Sequence, residues 1–324
     1  MNRCLQFIKD WMLPIAMATG VGLYLGFHFC HALHPIGPVC SVIVSKGQQI
    51  FIAIMLFLQF VKVSPSGIRF RGWHLRLLLF QTLSFSGLAL AARLMEPGNA
   101  RIMVEAAMLC FICPTASASG VITDRLGGSL PQNMSYVVFI NALATFLIPA
   151  VIPLVHPEAG VSFWGSVWTI ARRIFPMLLL PCLLAWLIRY TCPRLQAFLS
   201  RYTHWAFYLW SIGLIFAMIL ATRALVWSGL SWQALVMMGV ISMLCCFIQF
   251  ILGRVSASGY GKSISITAGQ ALGQKNTGFM IWLGYSFMTP VTAIAGGFYS
   301  IAHNLVNSWE LYRKRKEGDE ARAD

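Results

Sequence analysis

The chain has 324 residues, of which 58% are hydrophobic and only 10% are charged, and its mean hydropathy is +0.71. A water-soluble domain of this length rarely has such a composition, so we predict an integral membrane protein. The net charge of +14 comes from arginines and lysines scattered along the chain, which argues against a nucleic-acid-binding surface.

Apolar runs of about 20 residues recur along the chain, and each is long enough to cross a hydrocarbon core of ~30 Å. The predicted fold class is therefore an all-α polytopic membrane protein, followed by a charged tail at 313–324. We predict ten transmembrane helices, at 12–30, 45–63, 74–94, 103–125, 135–155, 174–190, 206–226, 232–252, 263–286 and 290–311.

The distribution of basic residues predicts the orientation of these helices. Ten spans place both termini on one side, and 17 arginines and lysines of the loops and tail lie on that side. Five lie on the other: Arg93, Arg101, Arg172, Arg173 and Arg223. The positive-inside rule predicts that both termini are cytoplasmic, in what we expect to be a bacterial inner membrane. The basic tail can also contact anionic membrane lipid, although a topology anchor is the simpler interpretation.

Two predicted helices, the fourth and the ninth, are interrupted at their centres. Proline removes a backbone donor, and glycine weakens a helix. Five residues mark these expected breaks: Pro114, Gly120, Gly269, Gly273 and Gly278. Because the breaks lie about half the chain apart, we predict inverted five-helix repeats at 1–160 and 161–312, with a site where the broken helices cross. The alternative is that these small residues only allow close helix packing.

Lys275 lies in the second interruption, within an otherwise nearly apolar stretch. A charge at membrane depth is costly, so it is usually paired or faces a polar cavity. Secondary transporters build substrate and ion sites from broken helices, and we therefore predict a solute carrier with Lys275 near the centre of its site. Around it we place the polar side chains Thr115, Ser117, Ser119, Asn141, Thr145, Gln270, Gln274 and Asn276. A lysine that snorkels to an interface, and a structural hydrogen bond for Asn141, are the alternatives.

Several short motifs, taken in order, resemble the bile acid:sodium symporter family. They are Cys113-Pro114 before Ser119, Thr145 with Pro149 and Pro153, Gly273-x-x-Asn276, and Pro290 with His303-Asn304. The resemblance covers nearly the whole chain and implies a core domain of helices 3–5 and 8–10, with two crossing discontinuous helices. It also implies a panel domain of helices 1, 2, 6 and 7, and uptake of amphipathic or small organic anions with sodium. On the same grounds His303 and Asn304 join the predicted site.

The chain departs from that family where sodium is expected to bind. The family motif on the ninth helix is broadly Glu-x-Gly-x-Gln-Asn, and its acid falls on Ala271 and its glutamine on Lys275. On the fourth helix the family's Ser-Asn becomes Ser119-Gly120. Acidic residues are missing from the middle of every predicted span, and Glu105 comes closest. We therefore expect Lys275 to take the place of sodium.

The predicted function is a secondary active transporter of an organic anion, bile-acid-like or a small carboxylate, that is not coupled to sodium. Lys275 would act as a permanent cation in a uniporter or exchanger, or would load and release a proton in each cycle. A sodium symporter that uses backbone and amide ligands is the main alternative. An intramembrane enzyme is a distant one, because mid-span carboxylates are lacking. We expect no cofactor and no metal-ligand cluster, and sodium is possible but doubted; no oligomeric state is predicted.

Overall fold

The computed structural model describes residues 12–116, 118–202 and 205–323, which form an all-helical protein. Short 3-10 turns at His31–Ile36, Pro65–Gly67, Ser258–Tyr260 and Pro290–Thr292 join some of the helices. The α-helices are α1 (Met12–Phe29), α2 (Gly37–Phe60), α3 (Gly72–Leu94), α4 (Asn99–Ile112), α5 (Ser119–Arg125), α6 (Leu130–Val155), α7 (Phe163–Leu178), α8 (Leu180–Thr191), α9 (Pro193–Arg201), α10 (Ala206–Val226), α11 (Trp232–Ser256), α12 (Lys262–Gly273), α13 (Thr277–Phe287) and α14 (Ala293–Ala323).

Four described helices are long and apolar enough to cross a membrane, namely α2 with its preceding turn, α3, α6 and α11. The pair α7 and α8 meets the same test as one unit but is bent by 42°. Pro181 lies at the start of α8 and lacks the N–H that would continue the bonding of α7. With the composition, these helices make the chain an integral membrane protein.

The fourth and ninth predicted spans are each divided into two helices. The first is unwound between Ile112 and Ser119, and the second between Gly273 and Thr277. Pro114 explains the first break, because it cannot donate to the preceding turn. With 14 residues, α4 rises about 21 Å, less than the ~30 Å hydrocarbon core, so it can cross only together with α5. The same holds for α12, with 12 residues, and α13, with 11.

Most of the glycines predicted to unwind these spans lie inside helices. Gly120 is in α5, Gly269 in α12 and Gly278 in α13, while Gly273 is the last residue of α12. Gly120, Gly269 and Gly278 are therefore not break positions as predicted, whereas Gly273 directly precedes the second break. An ideal Cβ on Gly273 would lie 2.4 Å from the ring of Phe250, so the absent side chain allows α11 to approach α12 closely.

The end of the chain also differs from the expectation. Helix α14 runs to Ala323, so residues 313–323 of the charged tail predicted at 313–324 continue the last helix. Lysine, arginine and glutamate are good helix formers, which explains why the helix does not end where the apolar residues do.

The helices pack in two groups. In one, α10 packs on α1 and α2, and α2 also packs on α7 and α8. In the other, α3 packs on α4 and α6, and α11 packs on α4, α12 and α14. Helix α13 contacts both groups, because it packs on α14 and also on α2 and α10. The second break, immediately before α13, therefore lies next to the contact between the groups.

Candidate functional site

The two unwound segments lie directly against each other. The N–H of Ala116 donates to the carbonyl of Gln274 at 3.0 Å, and the N–H of Asn276 donates to the carbonyl of Pro114 at 2.8 Å. Backbone groups that lost their helical partners at one break are thus satisfied by the other. The breaks form one structural unit although about 160 residues separate them in the sequence.

Side chains reinforce this pairing. Thr115 and Lys275 form an isolated antiparallel bridge, and the hydroxyl of Thr115 donates to the carbonyl of Ala271 at 2.6 Å. On the other side, the thiol of Cys113 donates to the carbonyl of Asn276 at 3.2 Å. Threonine at this position therefore joins the first break to the last turn of α12.

The side chain of Lys275 is completely buried at this crossing. Its Nζ lies 3.4 Å from the carbonyl oxygen of Phe111, which also accepts from Nε2 of Gln81 at 2.5 Å. Phe111 belongs to the last turn of α4, where carbonyls lack helical partners and the helix dipole favours a cation. Within the described residues, the carboxylates that form ion pairs are Glu105 and Glu310, and neither pairs with Lys275.

Two residues that the sequence interpretation missed hold the carbonyl ends of both broken helices. Nε2 of Gln249 on α11 donates to the carbonyl of Cys110 at 3.2 Å, and the hydroxyl of Tyr299 on α14 donates to the carbonyl of Gly273 at 2.8 Å. The two side chains also contact each other, with 3.1 Å between Nε2 and the hydroxyl oxygen. The polar surroundings of the crossing therefore come from three additional helices, namely α11, α14 and, through Gln81, α3.

The side chains of Gln270 and Gln274, close to Lys275 in the sequence, belong to a hydrogen-bond network around the carboxylate of Glu310. Nε2 of Gln270 donates to Oε2 of Glu310 at 2.6 Å, and Nε2 of Gln274 donates to Oε1 of Gln270 and, at 3.2 Å, to Oδ1 of Asn307. Arg254 donates to the other oxygen of Glu310. Gln270 thus forms a charge-assisted hydrogen bond to the carboxylate, and Gln274 is connected to it only through Gln270. Neither amide forms a hydrogen bond to Lys275 in the described structure. This corrects the expectation that both amides surround Lys275.

Ser119 forms a separate polar cluster beside the first break. Its hydroxyl donates to Oδ1 of Asn133 at 2.9 Å, and Nδ2 of Asn133 donates to the hydroxyl of Thr123 at 3.1 Å. All three residues are buried. Ser117, also predicted for the site, lies outside the described residues.

Four other predicted residues form no hydrogen bond to the crossing in the described part of the chain. Asn141, Thr145 and Asn304 each donate to a carbonyl four residues earlier in their own helix. His303 is buried, its Nδ1 has no hydrogen-bond partner, and its ring packs edge-on against Tyr299. Their sequence neighbourhood suggested polar lining, but carbonyls of their own helices accept from three of them. Oδ1 of Asn141 has no hydrogen-bond partner among the described residues.

Gln48 on α2 is a further residue that the sequence interpretation missed. It is buried, and its Oε1 has no hydrogen-bond partner among the residues that the structure describes. Its Nε2 lies so close to α13 that an ideal Cβ on Gly278 would be 2.7 Å away. Asn276 caps the same helix by accepting from the N–H of Phe279 at 3.1 Å. The positive N-terminal end of α13 therefore meets a buried amide from the other helix group, which is an environment suited to an anion.

Comparison with protein families gives one match. The sodium bile acid symporter family matches residues 49–228, more than half of the chain. The matched segment contains the first break and ends before Lys275. None of the curated protein sequences compared with the chain matches it. With this match over residues 49–228, the chain belongs to the sodium bile acid symporter family.

Proposed function

We propose that the chain is a secondary transporter that moves an organic anion, bile-acid-like or a small carboxylate, by alternating access and without sodium coupling. Members of its family are transporters and not enzymes. The main support for transport without sodium is the position of Lys275, which is fully buried at the paired breaks and brings a cation there. Its Nζ faces a helix carbonyl and no carboxylate of the described residues.

The positions where the family resemblance expects sodium ligands do not fit that ion. A hard cation takes oxygen ligands, and a carboxylate normally balances its charge when both are buried. Ala271, at the acidic position, packs in an apolar cluster with Trp73 and Tyr136. At the asparagine position, an ideal Cβ on Gly120 would lie 2.5 Å from Cε of Met134, so a methionine side chain already fills that space.

Lys275 supplies the charge that sodium would otherwise bring. Its ammonium lies at the carbonyl end of α4, where the helix dipole stabilises a cation. A second cation about 4 Å away would be repelled by about 4 kcal/mol at an effective dielectric constant of ~20. Lys275 and a sodium ion would therefore be stabilised by the same carbonyl groups. Because Lys275 is part of the chain, it occupies this position permanently and excludes the ion.

The same arrangement favours an anionic substrate. Lys275 contributes a charge, and the N-terminus of α13, one residue beyond Asn276, contributes a positive dipole end. Gln48 adds an amide from the opposite helix group with an unused oxygen, so it can adjust to hydrogen-bond a substrate. An anion held between these groups would contact both helix groups, as alternating access requires.

We further propose the ten-span architecture, with inverted repeats at 1–160 and 161–312 and both termini cytoplasmic in a bacterial inner membrane. The two packing groups support a panel made of α1, α2, α7, α8 and α10, and a core made of α3–α6 and α11–α14. The division of the fourth and ninth spans into helix pairs supports the repeat, since matched breaks in two halves are typical of it. Rocking of the panel against the core would expose the site to each side in turn.

Uptake by proteoliposomes tests the proposal. The purified chain is reconstituted, and entry of a labelled bile acid and of labelled pyruvate is measured in sodium chloride and in choline chloride. We expect equal initial rates in both salts for the transported anion, above those of protein-free liposomes. An imposed pH gradient separates the two roles of Lys275, because a proton-carrying lysine makes the rate depend on the gradient and a permanent cation does not. Uptake that vanishes in choline would contradict the proposal and favour sodium symport.

A further inference from the structure

A pocket of about 580 Å³ opens between α11, α12 and α14. Among the side chains that the structure describes, four basic ones line it, Arg254, Lys262, Arg313 and Lys314, together with one acidic one, Glu310. Glu310 is already balanced by Arg254 and by the amide of Gln270. The pocket therefore carries an excess of positive charge, which is complementary to an anion.

The rest of the pocket wall is apolar, and part of it faces outward. Phe247, Ile251, Leu305 and Trp309 line it, and their side chains are 43%, 59%, 60% and 58% exposed. In an integral membrane protein such exposed apolar side chains contact acyl chains. The guanidinium of Arg313 lies 5.8 Å from the ring centre of Trp309, and tryptophan with arginine is typical of headgroup depth. The pocket thus has a hydrocarbon-facing half and a basic half.

We propose that this pocket binds an anionic phospholipid. Its phosphate would lie between Lys262, Lys314 and Arg254, and its acyl chains would follow Ile251 and Leu305. A basic pocket between transmembrane helices at headgroup depth is the arrangement that recognises acidic lipid headgroups. A small soluble anion would leave the outward apolar wall without a binding partner, whereas a lipid can enter from the bilayer and cover it with its acyl chains.

Lipid in this pocket would be linked to the crossing by hydrogen bonds. A phosphate competes with Glu310 for Arg254, and Glu310 is bonded through Gln270 to Gln274. The carbonyl of Gln274 in turn accepts from the N–H of Ala116 in the first break. The site is thus distinct from the crossing, but its occupant shares Arg254 with Glu310, and Glu310 is connected through Gln270 to Gln274 at the crossing.

Trp309 is a built-in reporter for the test. The purified chain is placed in nanodiscs of unlabelled phosphatidylcholine, and either phosphatidylglycerol or phosphatidylcholine with brominated acyl chains is added while tryptophan fluorescence is recorded. The difference from a Trp309→Phe variant isolates the quenching of Trp309. We expect brominated phosphatidylglycerol to quench Trp309 at about tenfold lower mole fraction than brominated phosphatidylcholine, as two or more nearby cations imply.

The double variant Lys262→Gln/Lys314→Gln should lose most of that preference. Its matched control is Arg69→Gln/Arg194→Gln, which removes two exposed charges outside the pocket and should keep the preference. Equal quenching by the two lipids in the unmodified chain would overturn the proposal, even if the double variant proved unstable. So would a preference that survives in the double variant. Displacement of the brominated lipid by millimolar glycerol phosphate would also overturn it, in favour of a soluble-anion site.

Discussion

Two charged side chains are buried in the second half of the chain, and their surroundings differ. Lys275 at the crossing is completely buried, and among the described residues its Nζ is hydrogen-bonded to the carbonyl of Phe111 and to no carboxylate. Glu310 on α14 is 8% exposed and is held by Arg254 and Gln270. Lys275 therefore lacks a counter-charge in the described structure, whereas each carboxylate oxygen of Glu310 accepts a hydrogen bond.

This difference is the one expected if, as proposed, Lys275 serves transport and Glu310 serves structure. An unpaired buried charge costs free energy, and it persists where its charge is needed for function. A paired one is stable as it is, and removing one partner leaves the other unsatisfied. Neutralising the two residues should therefore change stability in opposite directions, which is the sharpest way to test the comparison.

The largest effect is expected at Lys275. Replacing Lys275→Met keeps the side-chain volume and removes the charge, so anion uptake should fall roughly 100-fold, equivalent to about 3 kcal/mol of lost attraction. The melting temperature in detergent should rise, because about 1 kcal/mol or more of desolvation cost disappears. The carbonyl of Phe111 retains its bond from Gln81.

The matched control is Lys46→Met, the same change at an exposed position of α2. It should alter uptake less than about twofold, as surface substitutions usually do. Normal uptake by Lys275→Met would contradict the proposed difference between Lys275 and Glu310, since the lysine would then have no role in transport. A lowered melting temperature would show instead that Lys275 is structurally required.

Part of the crossing was predictable because its signals are local. A single lysine in an apolar run, and a proline in the middle of a span, each violate a rule that holds for one helix. The position of Lys275 and the break at Pro114 needed no knowledge of other helices. Many span ends agree with the helices, but the second, fifth and sixth predicted spans begin 8, 5 and 11 residues after the starts of α2, α6 and α7. Helix α14 also continues beyond its apolar residues.

The partners of these residues could not be predicted, because they depend on how the helices cross. Gln249 is a lone amide in α11, and its neighbours along the sequence do not indicate that it bonds to Cys110. Gly273 was interpreted as a break, but its role depends on the ring of Phe250 on another helix. Glu310 did have a local signal that was missed. It lies three residues after Asn307 and seven after His303, on the same helical face.

A smaller effect of opposite sign is expected at Glu310. Replacing Glu310→Gln leaves Arg254 without a counter-charge, so the protein should lose about 1–2 kcal/mol and melt at lower temperature. The estimate is lower than for a fully buried pair, since Arg254 is 37% exposed at its side chain. The control Glu158→Gln makes the same change at an exposed residue between α6 and α7 and should leave the melting temperature within about 1 °C. A rise in melting temperature would show that Glu310 is as unbalanced as Lys275.

The smallest expected effect separates the geometry of the crossing from its charge. Thr115→Val keeps the branched shape of the side chain but removes the hydroxyl that donates to the carbonyl of Ala271. Loss of one buried hydrogen bond should cost about 1 kcal/mol, and uptake should fall only a few-fold, because Lys275 keeps its charge.

The control is Thr222→Val, a buried threonine whose hydroxyl bonds four residues back in its own helix. It should lose less stability, since the carbonyl of Met218 that it contacts lies within α10 and retains its helical bond. If Thr115→Val abolished uptake as completely as Lys275→Met, the alignment of the two breaks and not the buried charge would be what transport depends on.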